Sequence, residues 1–158
     1  MTDHVGRVLE QWAAERPDLD VSPMAVVGRL SRAARRFDEQ LAETFASHGL
    51  DAASFDVLAT LRRSGPPYTL TPKDLSASSM VTSAAIAQRL NRMEAQGYVQ
   101  RSPSCADRRG KLVSLTDAGR DAVDAALPDH VATEQRLLAA LDKDERAALA
   151  ALLAKLDE

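Results

Sequence analysis

Residues Val81 to Thr116 read VTSAAIAQRLNRMEAQGYVQRSPSCADRRGKLVSLT, and the fold turns on this stretch. Thr82 is a good N-cap, because its hydroxyl can accept an orphan N–H at the start of a helix. Ile86, Leu90 and Met93 follow at i, i+4 and i+7, a single apolar stripe at helical period. At about 100° per residue, Ala84, Gln88, Asn91 and Ala95 fall opposite that stripe, with Arg89 on its flank and Arg92 further out. Small and polar residues on an outer face let a helix approach another surface closely. Gly97 stands where a helix C-terminus favours glycine. Tyr98–Arg101 and Leu112–Thr116 mix aromatic, β-branched and polar residues, as short strands do. The loop between them carries Asp107, Arg108, Arg109, Gly110 and Lys111. A helix presented beside a hairpin tipped with three cations suits duplex DNA, the helix in the major groove and the ribbon on backbone or minor groove. On this stretch alone, an amphipathic helix with a solvated basic hairpin stands as an equal alternative.

Working outward, Asp51–Arg63 is expected as a helix ended by Gly65-Pro66-Pro67, with Phe55, Leu58 and Leu61 on one side and Asp56 off that stripe. Thr71-Pro72 opens a short helix to about Ala77, with Lys73 in its first turn. A bend at Ser78–Val81, which lacks a glycine, leads to the helix at Thr82. Helix, helix, turn, helix and hairpin make a winged helix-turn-helix. That order shifts the balance toward DNA. Lys73, Arg92 and Lys111 then join the candidates for contact with it.

The flanks are helical. Asp3–Arg16 is a short amphipathic helix with Val5, Val8, Leu9 and Trp12 on one side, stopped by Pro17. Ser22-Pro23 starts a long helix through Val26, Leu30, Phe37, Leu41 and Phe45 to Gly49. Thr116 caps an Ala-rich helix expected to be interrupted at Pro128. Asp142 with Glu145 forms a capping-box pattern ahead of Leu149, Leu152, Leu153 and Leu156. Long helices at one end and Ala/Leu helices at the other invite packing between two copies, which would set two reading helices about one turn of DNA apart. The expected fold is mostly α with a small β-hairpin. It is a single domain, 1–158, with dimerisation helices at 1–50 and 117–158 around a winged helix-turn-helix at 51–116.

The chain has 158 residues and a net charge of −3, which by itself disfavours nucleic acid. The distribution matters more. Residues 71–120 hold eight Lys/Arg against four Asp/Glu, which leaves twelve cations and nineteen acids elsewhere. A basic centre in an acidic frame fits one phosphate-binding face and discourages indiscriminate binding. Cys105 is the one cysteine, so no internal disulfide forms and a reducing cytoplasm fits. No run approaches the ~20 apolar residues of a membrane span, and MTDHVGRVLEQW lacks the apolar core of a signal peptide. The expected location is cytoplasmic, on the nucleoid when bound to DNA.

The segments RLNRMEAQGYVQR at Arg89–Arg101 and DRRGKLVSLTDAG at Asp107–Gly119 make the chain similar to the MarR family of bacterial transcriptional regulators. The resemblance covers nearly the whole chain. It implies a homodimer held by terminal helices, with DNA contacts at Thr82, Ser83 and Gln88 on the reading helix and Arg108 and Arg109 on the wing. A narrower resemblance is to the branch that answers to urate and related anions. That branch carries an N-terminal helix with a Trp, an Asp after the long helix, and Arg residues in the reading helix and first wing strand. Trp12, Asp56, Arg89 and Arg101 stand at the matching places. A flat anion needs a planar guanidinium to pair with and an aromatic face to stack on. Arg89 is placed to pair with Asp56 across the fold, and a ligand taking over one partner would bias the helix position.

The function expected is a ligand-responsive repressor binding a pseudo-palindromic operator as a homodimer, with an anionic aromatic effector such as urate. A sensor of phenolic compounds or antibiotics remains as an alternative, and Arg89–Asp56 as a purely structural pair. Redox sensing through Cys105, beside Arg108, is a weaker one. A dimeric interaction protein would explain the terminal helices but not the basic wing. His4, His48 and His130 are scattered, and no catalytic grouping, phosphate loop or metal-spaced set appears. An enzyme, a metal site and a cofactor are therefore not expected.

Overall fold

In a computed structural model, which describes residues 3–80, 83–103 and 111–156, the helices are α1 (His4–Glu15), α2 (Pro23–Ser47), α3 (Ala52–Arg63), α4 (Pro72–Ser78), α5 (Ser83–Ala95), α6 (Asp117–Leu137) and α7 (Lys143–Ala154). The strands are β1 (Thr69–Leu70), β2 (Val99–Pro103) and β3 (Lys111–Leu115). Met1–Gln40 and Leu41–Glu158 form two compact units.

In the first unit, Asp3 caps α1 by accepting the Gly6 N–H at 2.7 Å and pairs with Arg29 of α2 at 2.8 Å. Val5 is buried beside Gly28, where an added Cβ would come within 3.2 Å of Val5 Cγ1. A side chain at Gly28 would therefore press on Val5.

The second unit holds the main core. Val57, Leu58 and Leu61 of α3, Leu75 of α4 and Met93 of α5 are fully buried with Val113 of β3, and Val123 and Ala126 of α6 close the cluster. Asp51 caps α3, its carboxylate accepting the Ser54 N–H at 2.9 Å, and the Thr71 hydroxyl caps α4 by accepting the Asp74 N–H. The sheet is antiparallel in the order β1-β3-β2, with Arg101 opposite Val113. Tyr68 stands before β1 at φ 58°, and Thr69 and Ser114 share a hydrogen bond between their hydroxyls at 2.8 Å.

Two expectations need correction. The hairpin gains a third strand, β1, whose two residues are too few to show any period. The helix from Thr116 is not interrupted at Pro128: α6 is continuous from Asp117 to Leu137. An interior proline costs a helix about 3 kcal/mol. Burial of Val123 and Ala126 before it and Thr133 after it holds both halves in one helix. At the other end, Asp142 and Glu145 do form the reciprocal capping box that starts α7.

Candidate nucleic-acid interface

α5 is fixed from one side only. Ile86, Leu90 and Met93 are 2%, 4% and 0% exposed, whereas Ala84, Gln88, Asn91 and Ala95 all lie on the solvent side. The period that the sequence shows is therefore the division between core and free surface. Gly97 ends the helix at φ 76°, and the Tyr98 N–H returns to the Met93 carbonyl at 2.9 Å. Thr116 then clamps this corner. Its hydroxyl meets the Gly97 and Tyr98 carbonyls at 2.6 and 3.0 Å while accepting the Gly119 N–H. A Cβ at Gly119 would lie 2.0 Å from the Tyr98 oxygen, so α6 can start here only with glycine.

The approach to α5 is held as well. Asp56 accepts the backbone N–H of Met80 at 2.8 Å, and Arg63 donates to the Ser78 carbonyl at the end of α4. α3 thus grips the segment before α5 with one acid and one base.

Around the free face stand the cations. Lys73 is exposed in the first turn of α4, and Lys111 is exposed at the start of β3. Arg92, exposed on α5, reaches Asp51 at 3.7 Å, and Arg89 reaches the same residue's carboxylate at 3.5 Å. Arg89 therefore pairs with the α3 cap and not with Asp56. The two acids are five residues apart and so point to different sides of α3's first turns. Thr82, Cys105, Arg108 and Arg109 lie outside the described residues, and so does the Ser83 side chain.

Arg101 on β2 is held by several hydrogen bonds. Its Nε donates to Glu94 Oε2 at 2.8 Å, its Nη2 to the same oxygen and to Asn91 Oδ1 at 2.7 Å, and its backbone N–H to Glu94 Oε1 at 3.1 Å. The Arg101 side-chain hydrogen bond, aided by the backbone bond and more weakly by Lys111, holds the Glu94 carboxyl below its ordinary range against the opposing effect of burial. Arg101 also borders a cavity of about 710 Å³ between α4, α5, β2 and the start of β3. Ile86 and Leu90 give that cavity an apolar side, and Lys73, Arg101, Lys111 and Asn91 give it a polar one. Among the described residues its lining contains three cations and no acid.

Of the four residues matched to an anion site, Trp12 is on α1 in the first compact unit, while Asp56, Arg89 and Arg101 are in the second. Within the second unit the three have separate partners: Met80 for Asp56, Asp51 for Arg89, Glu94 and Asn91 for Arg101. Sequence reasoning missed Asp51 and Glu94 as those partners. The signal was present in part, since a helix ended by Gly97 and reversed into a strand brings residue 94 back beside residue 101.

This architecture and sequence have relatives. The model of the MarR family matches residues 48–110. The transcriptional regulator PecS of Dickeya dadantii is 38% identical over 154 residues, spanning 98% of this chain and 93% of its own.

The chain belongs to the MarR family.

Solved structures of MarR-family proteins agree. BpsR of Bordetella bronchiseptica, whose DNA binding is regulated by 6-hydroxynicotinic acid, superposes with a TM-score of 0.77 at 30% identity, covering 84% of this chain and 93% of that one. A cysteine-to-serine mutant of Escherichia coli MarR in complex with operator DNA gives 0.75 at 30% identity, covering 87% and 99%. The chain is thus a MarR-type, DNA-binding transcriptional regulator with a winged helix-turn-helix, and its relatives are regulators and not enzymes. In MarR terms α4 and α5 are the helix-turn-helix, and β2 and β3 are the strands of the wing. No helix among the described residues is long and apolar enough to cross a membrane.

Proposed function

We propose that this MarR-family protein is a cytoplasmic repressor that binds a pseudo-palindromic DNA operator as a homodimer and is controlled by a small aromatic anion. The observation that carries the DNA contact is the one-sided anchoring of α5, which leaves Gln88 and Asn91 on its outer face. Gln and Asn at such positions pair with base edges in the major groove, and Gln88 is the first candidate for adenine. Lys73, Arg92 and Lys111 supply phosphate contacts beside it, with Thr82, Ser83, Arg108 and Arg109 completing the set that the family resemblance implies.

Two copies of the chain are the natural occupants of its terminal helices. Leu149, Leu152 and Leu153 on α7 remain 38–60% exposed, and Trp12, Met24, Val26, Val27 and Leu30 stand exposed on α1 and α2. Apolar residues in this number on adjacent turns need cover, and a second chain supplies it symmetrically.

For the effector, the cavity bordered by Arg101 favours an anion over a neutral phenol, because three cations line it and no acid does among the described residues. A flat anion such as urate or 6-hydroxynicotinate can lie on the Ile86 and Leu90 side and pair with the guanidinium. Such a ligand competes for Lys73 and Lys111, which the DNA phosphates also use. Asp56, Arg89 and Trp12 remain ligand candidates alongside Arg101.

The test is anisotropy titration of the duplex between the protein's gene and a divergent neighbour, with and without urate or 6-hydroxynicotinate. Preferential binding over random duplex, relieved by one of the anions, is the expected result. Equal binding to both duplexes excludes the operator, and retention of DNA at saturating levels of both anions excludes this effector class.

A further inference from the structure

We infer that Glu94 is a built-in competitor of the effector: its carboxylate occupies Arg101 in the free protein, and an anionic ligand enters the adjacent cavity by displacing it. This inference rests on the proposed anionic effector and adds to it the residue that sets the threshold of response.

The geometry is that of an anion site already filled from within. Glu94 accepts from Arg101 Nε at 2.8 Å and from its Nη2, and it accepts the Arg101 backbone N–H at 3.1 Å. Two guanidinium donors converge on one oxygen, Glu94 Oε2, a charge-assisted contact that an oxygen of a ligand carboxylate or of urate can make in its place. Glu94 is absent from the lining of the cavity, while Arg101 borders it together with Asn91 and Lys111. Arg101 therefore has one partner for its charge in Glu94 and borders a second place for negative charge in the cavity. Asn91 brings no charge but accepts from Nη2 at 2.7 Å. The depressed Glu94 carboxyl fits a group that is ionised whenever the protein is folded near neutral pH.

Displacement has a consequence for DNA. With Glu94 on Arg101, the pair is neutral and ties β2 to the last turns of α5. With Arg101 turned to a ligand, Glu94 is left as an uncompensated carboxylate on the flank of the DNA-facing helix. It repels phosphate there, and the tie between wing and helix is loosened. The ligand thus acts twice: it occupies cationic groups and it releases an acidic one.

Exchange of one charge-assisted contact for another is a weak barrier at half-exposed sites, so its removal is expected to change affinity by about three- to tenfold. The experiment is calorimetric titration of the full-length protein with 6-hydroxynicotinate and with urate, alongside release of bound operator duplex by the same anions. It compares the natural protein with Glu94→Gln and Arg101→Lys, each checked by thermal melting. The competitor role predicts that Glu94→Gln binds an anion more tightly and releases DNA at about three- to tenfold lower anion concentration, whereas Arg101→Lys binds it more weakly. A merely structural Glu94 would lower the melting temperature and leave anion binding equal or weaker, and that result overturns the inference while leaving the effector in place. If neither the natural protein nor Glu94→Gln binds either anion, the effector class falls and the inference falls with it. Should Glu94→Gln fail to fold, Glu94→Asp takes its place: the shorter side chain draws the carboxylate back from Arg101, so tighter anion binding and DNA release at lower anion concentration support competition by Glu94, and unchanged or weaker anion binding contradicts it.

Discussion

α5 and α7 have nearly the same length, 13 and 12 residues, and both draw on Ala, Leu and charged side chains, yet they end in opposite situations. α5 buries its apolar stripe completely within its own unit and shows a polar face to solvent. α7 buries no residue at all, and its leucines stay open. One helix is finished by the chain and free to meet a polar partner. The other is unfinished and calls for an apolar one. The exposed side of each helix, more than its composition, points to the partner proposed for it: duplex DNA for α5 and a second copy for α7.

The largest effect that separates the two helices is on folding. Leu90→Ala in α5 should lower unfolding free energy by about 2–5 kcal/mol, whereas Leu152→Ala in α7 should change the stability of the monomer by under about 0.5 kcal/mol. Denaturant unfolding at low protein concentration reads this directly, and equal losses at both sites would erase the distinction. Leu152→Glu should instead shift sedimentation toward the monomer with helix content preserved. Next in size is base recognition. Gln88→Ala should leave the melting temperature in place and remove about 1–3 kcal/mol of discrimination at one base pair of each half-site. An operator mutation scan that shows undiminished preference at every position would remove Gln88 from the interface. Smaller again, Lys73→Ala should weaken binding to all duplexes alike. It should reduce the slope of log affinity against log salt by about two per dimer, near one for each phosphate left without its lysine.

The smallest expected effect is on acid stability. The folded-state pKa of Glu94 lies below its ordinary 4.5, chiefly because of its hydrogen bond from Arg101. A depressed carboxylate stabilises the fold above its unfolded-state pKa and loses that contribution as pH falls through the folded value. Glu94→Gln should therefore flatten the acid limb of a stability–pH curve below about pH 4.5 and leave the neutral limb parallel to that of the natural protein. An unchanged acid limb would mean that the pair with Arg101 does not persist in solution.

Most of the architecture was legible because the signals were periodic or capped. The i, i+4, i+7 spacing of Ile86, Leu90 and Met93 translated directly into burial, and Asp51, Thr71, Thr116 and Asp142 each cap the helix expected to follow them. β1 escaped notice because two residues carry no pattern, and it exists through pairing with Ser114 and Val113, 43 or more residues away. Pro128 misled because local propensity disfavours it, while packing of Val123, Ala126 and Thr133 outweighs the local penalty. The ligand candidates were found as residue types, but their partners were not. Arg89 finds Asp51 across 38 residues of chain, a pairing with no period to read, whereas Arg101 finds Glu94 across the turn at Gly97, which left a partial signal in the sequence.

The most direct test is the salt dependence of operator binding by the full-length protein, measured by anisotropy against both the operator and a random duplex. With Lys73, Arg92 and Lys111 from two copies at phosphates, log affinity should fall with log salt at a slope of about −5, and the operator should stay preferred at every salt concentration. A flat dependence, or one curve shared by both duplexes, would contradict the assignment of α5 and its flanking cations to DNA.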